Sequence, residues 1–508
     1  MRLHNLSMND EKKKRFAIWL KIGTAVICAG FLFSILVGKG AASDSLPHFT
    51  AHLDRQIPKL MKQYAVPGVA IALVQDGKPV WSNAYGYADL EQNQPMTIDS
   101  IFRVESISKS LTAWGVMKLV EQGKIDLDQP IQIYLKDWTL PSSEFSTEKI
   151  TPRRLLGNNA GMPLGAIGDE YSPRSPMPSL RDVLSQEAVP IQEPGLSFSY
   201  SNAGFHLLEL LIEQVSGRDF AEYMQDEVLL PLGMVNSTFV WDDKISPLLP
   251  TGYDLTGRPV PSYVYPAKAS GGLYATVEDI ARFISAGIAN PYQQENPVLS
   301  AESIREIYTP QIEISGIYGV VADDYGLGHF IENLPDGRRA VWHGGQGHGW
   351  MTHFHMVPES GDGIVILTNS QRSWPLMAKV LKAWADWNSL GSVKMERITY
   401  ATTAFQTLIA ITFLVSCLKT VRLIRGVSRG KSKFAPFSRE SLIARLLQAF
   451  LGIDILAGLA WSTAQPYLMI TSIFPGSVRW AGFSLLILAI VLIFSALFTP
   501  RSTKENLR

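Results

Sequence analysis

The sequence predicts an α+β fold: one antiparallel sheet flanked by helices, with a helical lobe inserted between its two halves and transmembrane helices at the C-terminus. Three observations carry this expectation. Strand patterns stand at both ends of the segment 41–397, helical patterns of apolar residues fill the stretch between them, and three apolar runs after it are each long enough for a bilayer, which needs about 20 residues.

Taken in order, residues 1–40 read as a signal peptide or an N-terminal membrane anchor. Lys12, Lys13, Lys14 and Arg15 precede an apolar run over 16–37, broken only by Lys21. Gly40-Ala41-Ala42 before Ser43 fits a small-x-small cleavage site, while a run of this length also suits an uncleaved anchor. Residues 69–74 and 80–88 around Asp76-Gly77 predict a hairpin, because Asp-Gly favours the twisted two-residue turn. Residues 110–122 predict a helix from the spacing of Leu111, Trp114 and Leu119, stopped at Gly123. A second helix follows from Leu207, Leu208, Leu211, Ile212 and Val215, ending near Gly217. Pro335-Asp336-Gly337 and the cluster 359–363 punctuate a second strand region over 330–368, with helix again up to about Leu390.

Residues 398–418, 442–461 and 480–498 make a third domain, 398–508, of three spans with a basic loop. Lys419, Arg422, Arg425, Arg429, Lys431, Lys433 and Arg439 lie between the first two of these, and Arg501, Lys504 and Arg508 follow the last. The loop 462–479 holds one basic residue, Arg479. The positive-inside rule then predicts a multi-pass protein of the cell membrane with 41–397 outside the cytoplasm and lipid as a partner. Asp454, deep in a span, is expected to face a neighbouring helix or to be protonated, and Arg445 to snorkel.

Charge narrows the function. Lys+Arg and Asp+Glu both total 46, but residues 1–40 hold 7 basic and 2 acidic side chains and 398–508 hold 12 and 3. The remainder carries 27 and 41, a formal −14, which argues against nucleic acid as a partner. The two cysteines, Cys28 and Cys417, both fall in apolar runs, so the central domain has no disulfide.

Ser106-Ile107-Ser108-Lys109 is the stretch that carries chemistry. Residues at i and i+3 share a helix face, so the Lys109 amine can reach the Ser106 hydroxyl. A serine becomes a nucleophile when a neighbouring base takes its proton, and a lysine kept neutral by burial is such a base. Ser146 with Lys149 and Ser428 with Lys431 match the bare spacing, but they lie in a polar stretch and in the basic loop, where neither lysine is desolvated. Ser199-Tyr200-Ser201-Asn202 and His343-Gly344-Gly345-Gln346 add a phenol as a proton carrier, an amide to orient a carbonyl, and a strand whose backbone can lie close to substrate.

Together with Val66-Pro67-Gly68-Val69-Ala70, Pro231-Leu232-Gly233-Met234 and Ser270-Gly271-Gly272-Leu273, these motifs resemble the class C β-lactamase and penicillin-binding-protein-like serine hydrolases over about 66–369. The resemblance implies the β-lactamase/transpeptidase-like fold, with the site between sheet and lobe. It implies Ser106 as the acylated nucleophile, Lys109 as its base partner, Tyr200 as proton shuttle, and Asn202 as holder of the substrate's amide carbonyl. The backbone N–H groups of Ser106 and Gln346 would form the oxyanion hole. Lys109 and Tyr200 both have ordinary pKa values near 10, so at least one must be shifted downward. Where such enzymes usually carry Lys-Thr-Gly, this chain has His343, Gly344 and Gly345, which offer no hydroxyl and no fixed cation. Recognition of a substrate carboxylate, and with it efficient β-lactam hydrolysis, is therefore expected to be weak, with His343 as a hydrogen-bonding aid.

The functional expectation is a membrane-bound hydrolase acting on amide or ester bonds of a small-molecule or peptide substrate outside the cytoplasm, next to a D-configured residue. One similar subgroup, with a periplasmic catalytic domain and three C-terminal spans, removes acyl-D-amino-acid prodrug motifs from nonribosomal peptides. Alternatives are a penicillin-binding sensor acylated without turnover, a β-lactamase, or a scaffold with a dead site. No cofactor and no metal are expected: His348, His353 and His355 lack a carboxylate or cysteine at matching spacing.

Overall fold

The computed structural model describes residues 45–165, 170–288, 296–316, 318–464 and 469–500. The chain divides into two compact units, Met1–Thr50 and Ala51–Arg508. The apolar run 16–37, the small-residue site at 40–42, Cys28 and the basic residues after position 500 lie outside the described residues.

A nine-stranded sheet organises the central domain. Its strands are β1 (Gly68–Gln75), β2 (Lys78–Asp89), β3 (Gln94–Pro95), β4 (Ile312–Glu313), β5 (Asp324–Tyr325), β6 (Phe330–Asn333), β7 (Arg339–Gly347), β8 (Trp350–Val357) and β9 (Asp362–Thr368). They lie in the order β3-β2-β1-β9-β8-β7-β6-β5-β4. The two ends of the domain meet at its centre, where β1 runs antiparallel to β9 from Val69 opposite Thr368 to Val74 opposite Gly363. The β1–β2 hairpin turns at Asp76 and Gly77, both with positive φ (51° and 70°), the geometry that Asp-Gly supplies.

Helices cover both faces. Alternate residues of β8 point opposite ways. Phe354 packs on Phe283 of α7 (Val277–Gly287), whereas His353 meets Trp374 and His355 meets Trp384, both in α9 (Trp374–Trp387). The two histidines are fully buried on an interior strand. The lobe centres on α2 (Ser108–Glu121), which is buried nearly all round, including Leu111, Trp114 and Leu119. Its inward hydroxyls are satisfied: Ser110 donates to the Gly328 carbonyl at 2.8 Å and Thr112 to that of Ala269 at 2.9 Å. Beside it lies α5 (Asn202–Ser216), started by the Ser201 hydroxyl accepting from the Gly204 N–H and ended at Gly217 in the left-handed conformation.

Three C-terminal helices, Lys394–Ser428, Leu442–Thr463 and Ser477–Ala496, are long and apolar enough to cross a membrane. Two details differ from the sequence reading and a third bears on it. The helix expected over 398–418 continues to Ser428, so Lys419, Arg422 and Arg425 ride on a helical extension rather than a loop. Arg445 is buried rather than snorkelling, and donates to the carbonyls of Ala435, Pro436, Ser438 and Ala496. Five guanidinium donors let one arginine gather chain ends in this way. Asp454, expected to face a neighbouring helix or to be protonated, is exposed on its helix among the described residues.

Candidate active site

Ser106 sits on a single 3-10 turn, Glu105–Ile107, that runs directly into α2. It is the one residue of 101–117 that is not buried. The next turn brings Lys109 beneath it, with Nζ 3.2 Å from Ser106 Oγ. Lys109 is fully buried and donates also to Asn202 Oδ1 and to the Ser270 carbonyl, each at 2.8 Å. Burial disfavours the ammonium and drops its pKa to about 7, against a smaller upward pull from Glu105. A neutral amine is then accessible near neutral pH, beside the partly exposed Ser106.

Tyr200 enters just before α5. Its ring lies 5.0 Å from Lys109 Nζ and is stacked against Tyr318 and Phe330. Burial pushes the phenol up, and its hydrogen bond with Ser106 pulls it down by less. The downward shift demanded by the chemistry therefore falls on the lysine through desolvation, not on a cation–phenolate pair. Asn202, the first residue of α5, turns its side-chain oxygen to Lys109, which leaves its N–H donors for an acceptor in the cleft.

The expected strand is β7. Pairing with β6 covers it only from Arg339 to Trp342, so among the described residues the β6 side of the strand from His343 onward has no strand partner. His343 Nδ1 meets the Gly344 carbonyl at 2.9 Å and Nε2 meets the Tyr325 hydroxyl at 3.1 Å. The first contact needs an Nδ1–H, so the ring is the neutral tautomer that accepts from Tyr325. Burial, with Lys109 nearby, holds its pKa well below the ordinary histidine value. The side-chain direction of Gly344 points to the far face, where a Cβ would lie 2.8 Å from the Trp374 ring. Gln346 points the same way, accepting from Trp374 Nε1 at 2.9 Å and donating to Ser472 at 3.3 Å. Only its backbone amide is left for the cleft. At Gly345 a Cβ would collide with the Val104 carbonyl and the Thr352 hydroxyl, so this glycine lets the strand pack against the nucleophile turn.

Several residues of the site were missed in the sequence. Asn158 carries the Tyr200 segment: its carbonyl accepts from the Ser199 N–H at 2.7 Å and its side chain from the Ser201 N–H at 3.0 Å. Ser270 holds Lys109 through its carbonyl, and its hydroxyl meets His206 Nε2 at 2.9 Å. Their partners are dozens of residues away, so neither was given a role from the sequence, although Ser270 stands in the motif Ser270-Gly271-Gly272-Leu273. Among the described residues no cluster of three or more His, Cys, Asp or Glu is placed to hold a metal.

The arrangement gathers a buried amine, a partly exposed hydroxyl, a phenol and a strand edge around one point. A protein-family model described as Beta-lactamase matches residues 53–385. The chain is similar to penicillin-binding protein 4* of Bacillus subtilis (strain 168), 25% identical over 65% of this chain and 74% of that one. It is similar also to protein flp of Staphylococcus aureus (strain MRSA252), 24% identical over 76% and 78%. Among solved structures, an octameric penicillin-binding protein homologue from Pyrococcus abyssi superposes with TM-score 0.58 and 29% identity, covering 67% of this chain and 78% of that one. The structure of SurE with D-Leu does so with TM-score 0.56 and 25% identity, covering 68% and 77%.

Proposed function

Because this chain belongs to the beta-lactamase family, whose fold is that of a serine hydrolase, we propose that it cleaves amide or ester bonds of D-amino-acid-containing peptides through an acyl-enzyme on Ser106. The observation that supports this reading best is the buried Lys109 amine 3.2 Å from the hydroxyl of the partly exposed Ser106. In the forward step neutral Lys109 takes the Ser106 proton as Oγ attacks the carbonyl carbon. The backbone N–H groups of Ser106 and Gln346 receive the oxyanion, each donor contributing about 3 kcal/mol in such sites. Tyr200, kept as a phenol by burial, protonates the leaving amine or alcohol and is reprotonated from Lys109. Water then enters by the reverse relay and releases the acid. Asn202 orients the substrate's amide carbonyl.

The choice of a D-residue draws on the structural neighbour solved with D-Leu. A neutral His343 and a Gly344 turned to the far face favour substrates without a carboxylate at that point. The apolar helices and the basic residues 419–439 favour a membrane protein with this domain outside the cytoplasm.

The full-length protein in detergent is expected to be labelled by a fluorophosphonate at Ser106, and Ser106→Ala to abolish the label; undiminished labelling of that variant rules the nucleophile out. A panel of D-alanyl esters, D-Ala-D-Ala peptides, acyl-D-Asn peptides and nitrocefin reads the specificity. Turnover is expected on the carboxylate-free D-alanyl esters and on acyl-D-Asn peptides, and little on nitrocefin. Stable acylation without turnover across the panel would instead support acylation as a sensing event.

A further inference from the structure

Immediately before the nucleophile stands a residue to which no role has been given. Glu105 has φ +51°, the left-handed region that residues other than glycine, asparagine and aspartate seldom occupy. Such strain persists only where the surroundings over-determine it. Here they do. The Glu105 carboxylate, 3% exposed, accepts from Arg103 Nε at 3.1 Å, from the Tyr263 hydroxyl at 2.9 Å and from the Tyr265 hydroxyl at 3.0 Å. Arg103 is itself buried and held by the Tyr263 carbonyl at 2.7 Å and the Tyr274 hydroxyl at 2.5 Å. The Glu105 carbonyl accepts from Ser108 Oγ at 2.6 Å, which ties the turn to the start of α2.

The catalytic strand is cut to fit this residue. A Cβ on Gly347 would collide with the Glu105 carboxylate, and one on Gly345 would lie 3.0 Å from Glu105 Cβ. The distance between the nucleophile turn and the edge of β7, where the Ser106 and Gln346 amides must converge, is thus set by the side chain of residue 105. The charge of the same carboxylate pulls the Lys109 pKa upward, by less than burial lowers it. The other titratable groups around that amine are Tyr200 ahead of α5, His206 on α5 and His343 on β7. Both histidines have lowered pKa values through burial, and the phenol is raised, so all three are uncharged at neutral pH.

We propose that Glu105, clamped by Arg103, Tyr263 and Tyr265, is a positioning residue of the Ser106 site that holds the nucleophile turn against β7 and sets the electrostatic field at Lys109. This rests on the acyl-enzyme reading above. Glu105→Gln keeps the volume and removes the charge. Its fluorophosphonate labelling, measured against pH on full-length protein and normalised to the monodisperse fraction, is expected to fall at least tenfold at its plateau. Loss of a nearby anion disfavours the ammonium, so the acid limb is expected to move to lower pH, a shift that a purely structural role would not produce. Tyr265→Phe, which keeps the ion pair and removes one donor to the carboxylate, is expected to lower the plateau with the limb unmoved, and it decides the matter if Glu105→Gln does not fold. A wild-type plateau and an unmoved limb in Glu105→Gln, or a wild-type plateau in Tyr265→Phe where only that variant folds, would overturn the proposal. Labelling of Ser106→Ala in the same assay would overturn the acyl-enzyme reading instead.

Discussion

Lys109→Ala is expected to lower kcat/KM for ester hydrolysis by about 10³-fold, within the range for loss of a general base, and to abolish the pH dependence that the wild type shows. Burial depresses the lysine pKa to about 7, so the amine is protonated and inactive below that pH and neutral and active above it. The wild-type kcat/KM should therefore rise through an apparent pKa near 7 and level off. No descending limb is expected up to about pH 10, because burial keeps the Tyr200 phenol protonated beyond its ordinary value of about 10. A wild-type profile flat from pH 5 to 9, or a lysine variant that keeps the ascending limb, would remove Lys109 from the role of base. Lys109→Arg is expected to be as inactive as the alanine variant, since a guanidinium cannot lose its proton in this range.

The parts of this site that were legible in the sequence were those whose partners are close along the chain. Ser106 and Lys109 share a helical turn, and the Asp76-Gly77 hairpin and the stop at Gly217 follow from local backbone preference. Tyr200, Asn202 and the β7 glycines were found through resemblance to a family's set of motifs rather than through spacing, because positions 106, 200 and 344 share no local geometry. Asn158, Ser270 and Glu105 were given no role for the same reason: the contacts to Ser201, Lys109 and Tyr263 that define their work span 43, 161 and 158 positions. Direction was also lost. A glycine run announces close approach, but only the fold shows that Gly344 faces Trp374 while Gly345 and Gly347 face the nucleophile turn. Strands of two residues such as β3, β4 and β5 are too short to show any period, and the helix that carries Lys419, Arg422 and Arg425 was concealed by charges that read as a loop.

Gly345→Ala tests that directional reading with one methyl group. The backbone at this position does not need a positive φ, so the substitution acts through space alone. The added Cβ would meet the Val104 carbonyl and the Thr352 hydroxyl, which are hydrogen-bonded to each other at 2.7 Å. Neither can retreat freely, since one is the main chain leading to Ser106 and the other is fixed on β8. Overpacking of this kind costs about 1–3 kcal/mol, so the variant is expected to fold with a Tm lower by several degrees. Activity should suffer far more. Relief of the clash moves β7 away from the nucleophile turn, and a displacement of about 1 Å between reacting groups costs on the order of 10²-fold. Gly204→Ala supplies the contrast, because on α5 a Cβ would find neighbours at 3.4–3.6 Å, an ordinary contact, and alanine favours a helix. Thermal unfolding and fluorophosphonate labelling rates on the same samples separate the two effects. If Gly345→Ala labels at the wild-type rate, the spacing between β7 and residue 104 does not govern the nucleophile, and the oxyanion role assigned to Gln346 loses its geometric support.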